Sequence, residues 1–236
     1  MPSAAKLALE DLLRTRRLQA DAPPLRGQDR RLRRLATGNA AVDALLAGGF
    51  PRGQLSEVHG PASSGRTGLV VALAARTTAA GSLVSWVDPG DRLDPASAAE
   101  AGVDLTRLLW LRGRPRSPRN LADAVSGAST VLGSGLFDAV VLDVAGVPAQ
   151  ELQRLPHTTW IRFQRLIEDS PTALVLLADA HVAQGPGGAT LSLQPSGARW
   201  SGSGPGRLLR GLGAEARAGR HGMCTAGLEL PAFHCE

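Results

Sequence analysis

The stretch Gly60-Pro-Ala-Ser-Ser-Gly65-Arg66-Thr67 restricts the fold more than any other part of the chain. It follows a strand candidate, Leu55–His59, and opens an alanine-rich helical pattern, roughly Thr67–Ala80, closed by Gly81. Strand, glycine-rich turn and helix in that order form the setting of a phosphate-binding loop, whose pattern is G-x-x-x-x-G-K-[ST]. Gly60 and Gly65 permit the backbone angles that aim N–H groups inward. The helix start adds a favourable field for an anion, and Thr67 can offer a hydroxyl to Mg²⁺. One defining position departs: Arg66 stands where the pattern has lysine, and its planar fork does not reach like a point charge. Residues Gly60, Pro61, Ala62, Ser63, Ser64, Gly65, Arg66 and Thr67 are therefore expected to form a degenerate nucleotide site. Asp143 ends the buried strand pattern FDAVVLD, where a carboxylate would hold Mg²⁺ through water.

From residue 35 short apolar runs alternate with helical patterns. Strands are expected at Leu55–His59, Leu83–Val87, Leu108–Leu111, Asp138–Asp143 and Ala173–Ala178, with helices near Pro95–Ala101, Asn120–Leu132 and Thr158–Glu168 between them. Such alternation implies an α/β fold with a mostly parallel sheet and right-handed crossovers. Two short strands, Thr190–Leu193 and Ala198–Trp200, follow in a stretch rich in Gly, Pro and Ser. A helix over 4–18 places Ala5, Ala8, Leu9, Leu12 and Leu13 on one face, which needs a surface to dock on, its own domain or a partner. Pro23-Pro24 and the arginines Arg30, Arg31, Arg33 and Arg34 mark 20–34 as a basic linker. Four segments result: a helix at 1–19, the linker at 20–34, a core at 35–200 and a Gly/Arg-rich segment at 201–236. Arg207, Arg210, Arg217 and Arg220 make that last segment a basic tail.

Composition narrows the classes. The chain has 236 residues, 43% of them hydrophobic, enough for a packed core. Its longest uninterrupted apolar stretch, Leu69–Ala75, is far short of the ~20 residues that span a bilayer. Lys6, Glu10 and Asp11 interrupt the place of a signal peptide's apolar region, so a cytoplasmic location is expected. Two cysteines, Cys224 and Cys235, build neither a disulfide framework nor a four-ligand zinc site, and the five histidines show no metal spacing. Lys6 is the only lysine among 26 basic residues, and the formal net charge is +5. Such a surface attracts polyanions, so weak, salt-sensitive DNA binding is expected.

The run Thr37-Gly-Asn-Ala-Ala-Val-Asp43 to Gly53, followed by the loop, resembles the RecA recombinase core. Val87-Asp88-Pro-Gly-Asp-Arg-Leu-Asp94-Pro95 and Ala101-Gly-Val-Asp104-Leu continue the likeness, which covers roughly 37–145 and weakens beyond. The resemblance implies a RecA-like core with a central sheet flanked by helices. In that family a catalytic Glu stands two residues after the Asp matching Asp88; here the position is Gly90. The family's Gln sensor falls near Asp179–Ala180, with no Gln, and the segments matching its DNA-binding loops, Gly146–His157 and His181–Ala189, are short and carry few basic residues.

These departures, with the N-terminal helix and the basic linker, are similar to ImuA, the RecA-like accessory family of the bacterial damage-induced mutagenesis cassette. That resemblance implies DNA repair in the SOS response and translesion synthesis. The implied partners are RecA, an ImuB-type Y-family polymerase homologue and an error-prone replicative-type polymerase. The N-terminal helix would dock on RecA or on a second copy. The chain is expected not to be an enzyme and to need no cofactor, with ATP and Mg²⁺ at most weakly bound. The alternatives are an active DNA-dependent ATPase or recombinase and a SulA-type inhibitor of cell division.

Overall fold

The computed structural model describes residues 4–19, 34–114, 117–183, 187–219 and 224–231. Strands without polar alternation have no face to give to water, so they pack inside a sheet covered on both sides. Strands β6 (Ala139–Asp143) and β7 (Ala173–Ala178) are of this kind, and β3 (Leu55–His59) and β4 (Val84–Asp88) are buried almost throughout beside them, Ser56, Glu57, Ser85 and Asp88 included. With β5 (Leu108–Arg112) and β8 (Thr190–Ser201) they run parallel in the order β8-β3-β7-β6-β4-β5. The α/β class with a mostly parallel sheet expected from the sequence is the class observed. A separate pair, β1 (Arg34–Leu35) and β2 (Phe50–Pro51), is antiparallel.

Helices lie on both faces. One core packs α2 (Ala40–Leu45), α3 (Arg66–Ala79) and α4 (Pro95–Glu100) on the sheet through Val42, Leu69, Leu73 and Ala98. The other packs α5 (Asn120–Ser134) and α7 (Thr158–Ile167) through Leu121, Leu132, Phe163 and Ile167. A short α6 (Ala149–Gln153) precedes α7. This places the turns after β3, β4, β6 and β7 along the carboxyl edge of the sheet, where open α/β sheets bind ligands.

Two expectations are corrected. The N-terminal helix, α1 (Ala4–Gln19), does not present one free face to a partner. Leu13 is buried in the same cluster as Leu121 and Ala124 of α5, and Leu9 is half-buried against it. Ala8 and Leu12 are exposed, and Ala5 belongs to the same helix. Burial of Leu13 removes apolar surface from water, so the chain's own α5 takes the contact.

The stretch read as a basic tail after residue 200 belongs to the sheet. Strand β9 (Leu208–Ala218) extends it antiparallel to β8, and β10 (Cys224–Pro231) adds antiparallel to β9, burying Ala214, Ala216 and Leu228. The two short strands are one, β8, with irregular register at Pro195/Gly197 and Arg199/Trp200. The proposed basic contacts have internal partners where they are described. Arg34 donates to the Gly49 carbonyl at 3.1 Å, Arg207 stacks over Trp200 at 4.7 Å, Arg210 donates to Ser201 at 2.7 Å, and Arg217 pairs with Glu215 at 3.3 Å. Arg30, Arg31, Arg33 and Arg220 lie outside the described residues. Among the described residues no helix is long and apolar enough to cross a membrane.

Candidate nucleotide site

The loop joins β3 to α3 with the geometry a phosphate cradle needs. Ser63 and Gly65 adopt left-handed backbone, φ 61° and 82°, and Gly65 is the residue from which α3 starts. Gly60 lies against the neighbouring strand β8: a Cβ there would meet the Leu193 carbonyl oxygen at 2.3 Å. Glycine is thus required at Gly60 by close approach and at Gly65 by its dihedral. Pro61, Ala62, Ser63 and Thr67 are exposed, whereas Ser64 and Arg66 are buried.

Arg66 folds back into the loop it belongs to. One end of its guanidinium donates to the Gly60 carbonyl and the other to Asp179 Oδ1 at 2.5 Å. Asp179, just past β7, accepts the Gly146 N–H on its second oxygen at 2.7 Å. The cation expected to reach a phosphate is therefore already bound to a carboxylate, and that carboxylate ties together the turns after β6 and β7. The resemblance placed the family's sensor position near Asp179, but nothing local in the sequence pairs Asp179 with Arg66, which lies 113 residues away.

Two acids stand behind the loop. Asp88, at the end of β4, accepts on one oxygen from the Arg92 and Leu93 amides, at 2.7 and 2.9 Å, and from the Trp110 indole at 3.2 Å. Its other oxygen is buried without a partner, as are Ser64 Oγ and Arg66 Nε. Asp143 accepts the Ala145 N–H at 3.0 Å. Burial pushes the Asp143 carboxyl up to about 6, with Asp88 adding to the rise, against the downward pull of the Ala145 amide, Arg66 and Arg92. Unpartnered buried polar atoms carry a desolvation penalty until a ligand meets them. The anionic Asp88–Asp143 pair suits a hard divalent cation, and Ser64 and Arg66 suit phosphate oxygens. The residues present thus fit Mg²⁺ and a nucleotide phosphate: Asp143 and Thr67 would hold the metal, and its charge would offset that of the phosphates.

The departures at the water-activating position hold in three dimensions. Gly90 is exposed, and Asp91 beside it is held by Arg112 through two hydrogen bonds of 2.7 and 2.9 Å. That pairing keeps the Asp91 carboxyl below its usual range.

Residues 25–163 match the RecA N-terminal domain family. Protein RecA of Rubrobacter xylanophilus is 39% identical over 122 residues, 50% of this chain and 34% of that protein. Protein RecA of Chlorobaculum parvum is 38% identical over the same length, again 50% of this chain and 34% of that protein. Protein RecA of Lactobacillus acidophilus is 34% identical over 128 residues, 53% and 34% of the two chains. The chain spans about a third of the length of the curated relatives it matches. These relatives bear the name of the recombinase to which the sequence motifs point, an enzyme family. The expectation of a chain that is not an enzyme, drawn from Arg66 and Gly90, is corrected by that finding.

Proposed function

Because the chain belongs to the RecA N-terminal domain family, we propose that it is an ATP-responsive DNA-repair protein whose phosphate loop is held closed by its own arginine until nucleotide displaces Asp179. The observation that carries this reading is the Arg66–Asp179 contact at 2.5 Å, inside a loop whose remaining geometry suits a phosphate. An incoming terminal phosphate is a stronger bidentate acceptor for a guanidinium than one carboxylate oxygen. Its arrival would free Asp179, release the Gly146 amide and so loosen the turns after β6 and β7. Binding at the loop would in this way be felt along the whole carboxyl edge of the sheet.

The cellular setting is proposed from the resemblance to ImuA. The protein would work in damage-induced translesion synthesis, linking RecA to an ImuB-type polymerase homologue and an error-prone replicative-type polymerase. Support comes from Arg66, from Gly90, and from the short segments after β6 and β7, all of which depart from the recombinase pattern in the same chain. DNA contact would be weak and salt-sensitive.

Calorimetric titration of ATP with Mg²⁺, followed by phosphate release with and without single-stranded DNA, tests the first part. Binding that Arg66→Ala abolishes, with DNA-stimulated turnover, is the expected result; no binding at millimolar ATP would remove the reading. Pull-down against RecA and the two polymerase-related partners tests the second, and capture of none of them would remove it.

A further inference from the structure

The nucleotide site leaves the activation of water unassigned, since Gly90 has no side chain and Asp91 is engaged by Arg112. We propose that His181, held by the buried carboxylate of Glu57, is the general base that takes the proton of the attacking water. The proposal rests on the nucleotide-binding reading given above.

Glu57 is the starting observation. It sits inside β3, with its side chain only 2% exposed, where a carboxylate is costly unless fully bonded. It is fully used. Its oxygens accept the Val182 N–H at 2.6 Å and the Ala183 N–H at 3.3 Å, and lie 2.5 Å from His181 Nδ1. With Glu57 as a carboxylate, which only accepts, the proton of this contact is on Nδ1. The imidazole is thereby held in the tautomer that leaves Nε2 with a lone pair. The His181 side chain is 49% exposed, so the imidazole borders solvent.

The position suits the task. His181 follows Asp179, the clasp residue, by two positions, and its ring lies 5.7 Å from that of His59, the residue before Gly60. The titratable groups that face it are Glu57 and His59 from β3, and Asp179 stands two positions before it in its own segment. His59 is half-buried, and burial holds its imidazole below the usual range. No carboxylate bonds its ring among the described contacts. A carboxylate that holds one nitrogen of an imidazole and leaves the other free to accept a proton is the arrangement of a positioned base.

In the step proposed, the water oxygen bonds to the terminal phosphorus as the bond from that phosphorus to the bridging oxygen breaks. The electron pair leaves with the diphosphate. The water proton passes to His181 Nε2 and from there to solvent. Glu57 stays ionised throughout and faces the imidazolium that forms, which makes it a positioning residue.

The test uses the full chain and two separate readouts, ATP affinity by calorimetry and phosphate release across pH 5 to 8. His181→Asn keeps a donor for Glu57 and removes the base, so it guards against loss of the fold; thermal unfolding checks that it has. It is expected to bind ATP within about threefold of the parent and to lose roughly 10²-fold in turnover, together with the acid limb of the pH profile. Glu57→Gln is expected to lose about tenfold and to shift that limb. Turnover by His181→Asn at the parental rate, an unchanged acid limb, or an equal loss in His59→Ala would overturn the assignment while leaving the nucleotide reading intact. A parent that binds ATP and releases no phosphate would overturn it as well. A parent that binds no ATP would overturn the nucleotide reading and the assignment that rests on it.

Discussion

Arg66 and Asp179 meet at 2.5 Å across the mouth of the loop, and the second oxygen of Asp179 holds the Gly146 amide at 2.7 Å. One carboxylate thus joins the start of α3 to the turn after β6. The Asp179 side chain is 49% exposed, so solvent screens the pair and its contribution to stability is small, under ~1 kcal/mol. On the reading proposed above its effect on ligand binding is larger, because a nucleotide would first have to displace it. Asp179→Asn is expected to raise ATP affinity about three- to tenfold, as the population with a free guanidinium grows. Calorimetric titration of the variant checks this, and an affinity equal to or below the parent's would contradict the clasp.

The Asp143 carboxyl sits at about 6 in the folded chain, against 3.8 ordinarily. Between those values the folded state holds a proton that the unfolded state releases. Stability is therefore lost as pH rises from about 4 through 6, and the loss is complete above that. The shift corresponds to roughly 2–3 kcal/mol at neutral pH. His59 works in the other direction, since its lowered value makes the folded state less stable as pH falls below 6.5. Asp143→Asn removes only the first effect. Urea unfolding at pH 5 and pH 8 should show a variant stabilised by about 1–3 kcal/mol at pH 8 and by about half as much at pH 5. A gain of equal size at both values would show that Asp143 is not protonated where burial implies.

Two glycines of the loop region are expected to respond oppositely to alanine. At Gly60 the new Cβ would meet backbone oxygen at 2.3 Å and Ser64 Oγ at 2.7 Å, so strands β3 and β8 must part. A loss of about 2–4 kcal/mol is expected, within the range of overpacked or strained sites. At Gly68, in the first turns of α3, nothing lies within 4 Å of the added carbon. Gly68→Ala is expected to add about 0.5–1 kcal/mol through helix propensity. Thermal unfolding of both variants decides, and a harmless Gly60→Ala would mean that the loop does not pack on β8 as described.

Much of the fold was legible because buried parallel strands announce themselves as unbroken apolar runs. Ala173–Ala178 reads from sequence with the bounds it has in the structure, and the helix after the loop is offset by one residue. The far end of the sheet was not legible. In β9 the inward residues are Ala214, Ala216 and Ala218, too small to stand out among the glycines and arginines around them. The alternation Ala-Glu-Ala-Arg-Ala from Ala214 to Ala218 was the signal available, with period two and the small residues inward. The site divides the same way. The loop residues form a local motif, whereas Asp179 and the Glu57–His181 pair are brought together by strand order, which no local pattern encodes.

The N-terminal helix offers a last comparison between two leucines one position apart. Leu13 is 5% exposed and packs with Leu121 and Ala124 of α5, while Leu12 is 47% exposed. Truncating Leu13 removes the one fully buried apolar contact of α1 among the described side chains, about 2–3 kcal/mol for a buried leucine at a site able to relax. A helix of this length does not persist alone in water. Leu13→Ala should therefore release α1 and speed tryptic cleavage at Arg14, with little change in the melting temperature of the sheet domain. Leu12→Ala should leave both unchanged, within ~0.5 kcal/mol. Digestion timed by mass spectrometry distinguishes them. If Leu12→Ala is cleaved as fast as Leu13→Ala, α1 does not rest on α5 through Leu13.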